Sequence, residues 1–251
     1  MTAGHIFKME LFKYLRDKTY LMITGILAII NVFITIYFTY ILDSYVQFNI
    51  STGSGFFGFM MIFTILSIFA NVVFMFLYPF HLMSMDYRNN VMSMLVASGV
   101  NRTRLFFAKI GATLLWSIGI SVVLVFFPAL IILLKLSQLT DIQIIVSSIV
   151  QGVDASGVSM LGLIVSSVIS YINSLVIIAT AVIMLKGNNS TFFLFIGLTM
   201  LQSVVISLFN SIPNHFDFSV SGMIIFSNLL LIASTLIFII ISLRIMKKQS
   251  L

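Results

Sequence analysis

The side chains able to do chemistry are few and unevenly placed. The 251 residues include 13 Lys and Arg, seven Asp and Glu, three His and no Cys. Five charges, Asp86, Arg88, Arg102, Arg104 and Lys109, fall in one stretch, MDYRNNVMSMLVASGVNRTRLFFAK, which begins at Met85. General acid/base catalysis needs positioned titratable groups, but the carboxylates read as scattered over two membrane surfaces, with none inside an apolar run. His5, His81 and His215 belong to three different surface segments, and no His-Glu-x-x-His run exists to hold a hydrolytic metal ion. There is no Gly-x-Ser-x-Gly elbow and no Gly-x-x-x-x-Gly-Lys-Ser/Thr loop for a nucleotide's phosphates. GSGFFG at 53–58 falls on the outer side, where ATP is not. Without cysteine, disulfides and thiolate metal sites are excluded. The chain therefore reads as a non-enzyme, with no catalytic, cofactor or metal site of its own.

The elements that position these residues follow from composition. Sixty per cent of the residues are apolar and 8% charged, against about half and about a quarter in soluble domains. The apolar residues form charge-free runs of about 20 or more, the length at which a helix crosses the hydrocarbon layer. Barrel strands would alternate polar with apolar, which these runs do not. The fold class expected is all-α: a polytopic membrane protein, one domain over 1–251, with six transmembrane helices at about 19–42, 56–84, 105–134, 158–185, 191–212 and 221–243. No stretch between runs exceeds about 25 residues, too short for a soluble catalytic domain. The first apolar run is too long for a signal peptide's core, so the N-terminus is expected to be retained.

Charge sets the topology. With the N-terminus inside, 12 of the 13 basic residues fall in inner segments, and only Lys135 lies at an outer span edge. Asp43, Asp141, Asp154 and Asp217 fall in outer loops. Both termini are therefore expected in the cytoplasm of a plasma-membrane protein. The net charge of +6 reflects this asymmetry rather than nucleic-acid binding.

Three segments show helical periodicity. At 1–18, Phe7, Leu11, Tyr14 and Leu15 project to one side and Lys13, Arg16 and Asp17 to the other, which predicts an interfacial helix on the inner surface; a frayed basic tail is the alternative. At about 141–153, Ile142, Ile145, Ile149 and Val153 oppose Gln143, Ser147, Gln151 and Asp154, as in an outer amphipathic helix capped by Asp141. In the fourth span, Gly162, Ser166, Ser170 and Ser174 recur every fourth residue, a helix-packing face used within the chain or between subunits. Asn31, Asn71, Asn173, Gln202 and Asn228 read as interhelical hydrogen bonders, and Pro79 and Pro128 as tolerated kinks.

In the charged stretch, Met83, Tyr87, Val91, Met94 and Leu95 form an apolar face, and Arg88, Asn89 and Ser93 lie on another. This predicts a helix over about 86–98 between spans two and three, ended by Ser98-Gly99, with Asn101 capping the next helix. A loop that only turned the chain would be shorter. A polar helical face flanked by Arg102, Arg104 and Lys109 suits docking onto a soluble protein. The spans carry no ionisable group to act as a proton relay, so work for uphill transport would have to enter from such a partner.

On these residues the chain resembles the permease subunits of ABC-2-type ABC transporters. These combine an interfacial helix, six spans and a coupling helix in the first cytoplasmic loop. Asp86 matches the acid that opens that loop, Leu95 its leucine, Ser98-Gly99-Val100 its turn, Arg102 or Arg104 its basic residue and Lys109 its lysine. The family often has Glu where Asp86 stands, and a longer outer segment between spans five and six, whereas here the longest follows span three. The resemblance implies a cytoplasmic ABC ATPase partner that carries the ATP and Mg, and a second permease, the same or a related chain, in a two-permease, two-ATPase complex within membrane lipid. It also implies coupling to the ATPase through Asp86, Tyr87, Arg88, Asn89, Ser93 and Arg102. Small permeases of this kind resemble those of Gram-positive bacteria that export, or give immunity to, amphipathic antimicrobial or cytolytic peptides. The alternative is a non-transporting membrane scaffold or sensor, distinguished by whether an ATPase is encoded beside this chain.

Overall fold

The computed structural model describes residues 3–48, 55–89, 91–139, 160–215 and 219–248. Their regular elements are all helices: α1 (Ala3–Leu15), α2 (Lys18–Phe48), α3 (Gly55–Arg88), α4 (Val91–Ala97), α5 (Arg102–Leu139), α6 (Met160–Leu185), α7 (Thr191–His215) and α8 (Val220–Lys248). Among the described residues, six of these helices are long and apolar enough to cross a membrane. They correspond to the six expected spans. The outer amphipathic helix expected at 141–153 lies outside the described residues.

The chain divides into two compact units. One comprises Phe12–Tyr78 and Leu115–Val146; the other comprises Met1–Leu11, Pro79–Leu114 and Ser147–Leu251. Helices α3 and α5 run through the division without a break, and α3 crosses it at Tyr78 and Pro79.

In the first of these units, α2, α3 and α5 are joined by a self-contained polar knot. The side chains of Asn31 and Asn71 form a reciprocal amide pair: Asn31 Nδ2 donates to Asn71 Oδ1 at 3.1 Å, and Asn71 Nδ2 to Asn31 Oδ1 at 2.8 Å. Asn31 Nδ2 also donates to the Leu124 carbonyl at 3.3 Å, and Ser67 Oγ to Asn31 Oδ1 at 3.1 Å. In lipid there is no hydrophobic force between helices, so bonds of this kind and close packing hold them together. Toward the other end of α2, the Tyr20 and Tyr78 rings stack at 4.8 Å and 8°, and Trp116 Nε1 donates to the Tyr78 hydroxyl at 2.7 Å.

In the other unit, α6, α7 and α8 pack on one another. Asn173 on α6 donates to Gln202 Oε1 on α7 at 3.0 Å and accepts from Thr235 Oγ1 on α8 at 2.9 Å, while Gln202 Nε2 reaches Ser234 Oγ at 2.6 Å. Thr180 and Ser242 share a further bond between α6 and α8 at 2.8 Å. Four of the five isolated polar residues thus bridge helices as expected. Asn228 departs from the pattern: its side-chain oxygen has no hydrogen-bond partner among the described residues.

Helix α6 is buried on all sides from Leu175 to Ile183, including Ala179, Thr180 and Ala181. The expected packing face lies earlier in the helix. There Gly162, Ser166 and Ser174 are half-buried, Ser170 is exposed, and Ser174 Oγ donates to the Ser170 carbonyl of its own helix.

Asn31→Leu should therefore cost about 1–2 kcal/mol, the upper range for an interhelical polar contact in a membrane, because it strands Asn71. The readout is the thermal unfolding midpoint in detergent. A midpoint equal to that of the unmodified chain would remove the amide pair from the list of stabilising contacts.

Candidate functional site

The charged stretch folds as the end of α3, a turn, α4, a second turn and the start of α5. Helix α3 ends at Arg88, and the register of its apolar face is lost at the turn. The helix expected over 86–98 is therefore shorter, Val91–Ala97, and residues 86–88 belong to the long helix. Because the register shifts, α4 buries Met92, and Met94, expected on the apolar face, is 69% exposed. The stop is as expected. Gly99, at φ +80°, takes the left-handed conformation that glycine adopts without strain. Val100 N bonds the Leu95 carbonyl at 3.2 Å and Gly99 N the Val96 carbonyl at 3.0 Å, the Schellman closure. Asn101 Oδ1 then accepts from Thr103 N at 3.0 Å and caps α5.

Beneath this loop lies a cluster of buried charges. Lys109 on α5 bonds Asp86 on α3, and its Nζ stands 4.0 Å from Glu10 Oε2 on α1. All three are buried: Glu10 at 0% exposure, Asp86 at 1% and Lys109 at 6%. Taking a charge out of water costs several kcal/mol, recovered only by close pairing. The three side chains therefore tie the N-terminal helix to both sides of the loop. The Phe7 ring lies against Gly111, two residues further along α5. Apolar neighbours, including Met83, Phe106, Val182 and Met246, wall the Lys109 stem and the Tyr87 ring.

The row of α1 that packs against the rest of the protein is Ile6, Glu10 and Tyr14, each at 0% exposure, while Leu15, on the expected apolar side, is 58% exposed. Glu10 turns inward to meet Lys109. The helices long enough to cross a membrane also carry ionisable groups near their ends, Asp86 in Thr64–Arg88 and Lys109 in Arg102–Lys135.

The six residues expected to couple to a partner divide by environment. Asp86 and Tyr87 are buried and present no docking surface. Arg88 donates to Asn189 Oδ1 at 2.6 Å, in the turn between α6 and α7. Arg102 donates to the carbonyls of Met246 and Lys247, the second at 3.4 Å, and so caps the end of α8 with positive charge. Ser93 is half-buried, and Asn89 is exposed.

Sequence reasoning missed Glu10 and the α6–α7 turn. Glu10 is the only glutamate in the chain, and its spacing of four from Ile6 and Tyr14 was the available signal. In the turn, Lys186 and Gly187 have φ of +50° and +70°. A Cβ on Gly187 would lie 2.8 Å from the Ser84 carbonyl oxygen, so only glycine allows this approach. Lys-Gly-Asn-Asn between two apolar runs was the corresponding sequence signal.

A family model described as ABC-2 family transporter protein matches residues 6–187. No curated protein and no solved structure matches the chain significantly. The matched range begins in α1 and contains Glu10, Asp86, α4 and Lys109.

Lys109→Met leaves two buried carboxylates around an apolar side chain and should destabilise the protein by about 3–5 kcal/mol, seen as a lowered unfolding midpoint and a reduced yield of monodisperse protein in detergent. Lys109→Arg, which keeps the positive charge, should recover much of the loss. Equal midpoints for Lys109→Met and the unmodified chain would show that the cluster does not hold the loop.

Proposed function

Because the chain belongs to the ABC-2 family of transporter proteins, it is a multi-pass membrane permease subunit that depends on a separate ATP-binding partner for hydrolysis, and we propose that it exports amphipathic peptides, coupled to that partner through α4. The observation that carries the coupling is the build of the first loop. A seven-residue helix is stopped by Gly99, followed by an Asn101-capped helix and held from beneath by the Glu10–Lys109–Asp86 cluster. Bracing of this kind ties α4 to the adjoining ends of α3 and α5, which is what transmission of an ATPase's motion to spans requires.

Within the expected coupling set, the roles separate. Asn89, with the exposed Met94 and Arg104, forms the contact surface. Asp86, Tyr87, Arg88, Ser93 and Arg102 hold that surface in position. The assembly proposed is two permeases with two ATPases, with ATP and Mg on the ATPases and both permease termini in the cytoplasm. This orientation is supported by the 12 basic residues that fall in the inner segments. Peptide cargo is supported by the resemblance to small Gram-positive permeases. Family membership sets aside the scaffold alternative.

Two experiments test this reading. Topology reporters fused after Lys248 should read inside, and those inserted beside Asp217 outside; the opposite pattern would put α4 on the wrong face of the membrane. Asn89→Ala and Met94→Asp should leave membrane insertion unchanged but weaken co-purification of the ATPase, each by the ~1–3 kcal/mol that truncating an interface anchor costs. Full association and transport in both variants would reduce the loop to a topological anchor.

A further inference from the structure

The α2–α3–α5 unit contains an open groove of about 540 Å³, within the range of small-molecule sites. Its floor is Ile34, Thr35, Ser67 and Leu124, all buried, and its rim is exposed at Ile68, Val72 and Val125. One end is the Asn31–Asn71 pair; at the other, Thr39, Thr64 and Lys135 line the mouth. Among the described residues, Lys135 is the single charged residue lining it.

Three observations define the occupant. First, the amide knot is nearly saturated. Both Asn31 hydrogens, both Asn71 hydrogens and both Asn31 lone pairs are used, which leaves one Asn71 lone pair for a ligand. The groove therefore presents hydrocarbon along almost its whole length and cannot select a polar solute. Second, the groove runs 11 residues along α5, from Leu124 to Lys135, about 16 Å at the helical rise. That is close to half the ~30 Å hydrocarbon thickness, one leaflet. Third, Lys135 ends the charge-free run of α5, at the outer edge of the span read from the sequence.

We propose that the groove is a resident phospholipid site, with one acyl chain lying along α3 and α5, its end against the Asn31–Asn71 pair and its phosphate beside Lys135. Moving an acyl chain from bilayer to groove gains little, because lipid tails are as apolar as the side chains that replace them. Residence is therefore set by the fit of the chain to the groove and by the Lys135 contact with the phosphate. In the topology proposed above, the lipid belongs to the outer leaflet. The site does not depend on the identity of the transported substrate or on ATPase docking.

The test uses the full-length permease in nanodiscs containing a phospholipid with a photoactivatable diazirine near the end of one acyl chain. After illumination, labelled peptides are mapped by mass spectrometry. Adducts should concentrate on α3 and α5 residues that line the groove. Val72→Trp and, from the opposite wall, Val125→Trp should each remove them while labelling of α7 and α8 continues. Lys135→Gln should lower groove labelling by the phospholipid about fivefold, the equivalent of roughly 1 kcal/mol per cationic side chain at the headgroup level, but leave labelling by a diazirine diacylglycerol unchanged. Unmodified elution volume and α7 labelling show that the variants are folded. Uniform labelling of all lipid-facing helices, insensitive to both tryptophans, would overturn the proposal. So would the absence of groove adducts together with cross-linking of Val72→Cys into a covalent dimer, a clean readout in a chain without native cysteine, since a second copy would then fill the groove.

Discussion

The contact between Lys109 and two buried carboxylates governs how the charged stretch is built. Each partner comes from a different helix, α1, α3 or α5, and none could be buried alone without a cost of several kcal/mol. Their meeting places the loop between α3 and α5 and turns α1 so that Glu10 faces inward. It also forces Asp86 and Tyr87 away from solvent. The exposed part of the loop is thus what remains after the cluster forms: Asn89, Met94 and the C-terminal end of α4. Arg88 and Arg102 extend the bracing, one to the α6–α7 turn and one to the end of α8.

Much of this architecture was legible in the sequence because membrane crossing imposes a strong constraint. A helix of fixed minimum length, free of charge, leaves little freedom in where spans fall, and all six lie where the apolar runs are. Local punctuation was also readable. Gly99 ends α4 and Asn101 caps α5 because each acts within a few residues of its own position. The pairing of Asn31 with Asn71 and of Asn173 with Gln202 was legible in kind, since an isolated amide in hydrocarbon must find a partner, but not in its identity.

What remained hidden depended on contacts between distant segments. The inward turn of Glu10 was hidden because its neighbour, Lys109, lies 99 positions later in the chain. Met94, expected on the apolar face, is exposed and Met92 is buried, because the helical phase of α4 differs from that of α3. The small-residue row of α6 is distinct from the part of that helix enclosed within the chain. Its spacing suits close packing, yet the part of α6 that is enclosed lies further along, around Ala179 and Ala181.

The two amide clusters also set an order for building the protein into a bilayer. Asn31 lies in the first span, and its side-chain partners lie in the second and its carbonyl partner in the third. Asn173 repeats this relation in the fourth, fifth and sixth, through Gln202 and Thr235. In a chain inserted from its N-terminus, each asparagine enters the membrane before its partners have been synthesised. The first and fourth spans must therefore wait, beside lipid or the insertion machinery, until the next two helices emerge. Each three-helix set is complete only when its last helix meets an asparagine already in place.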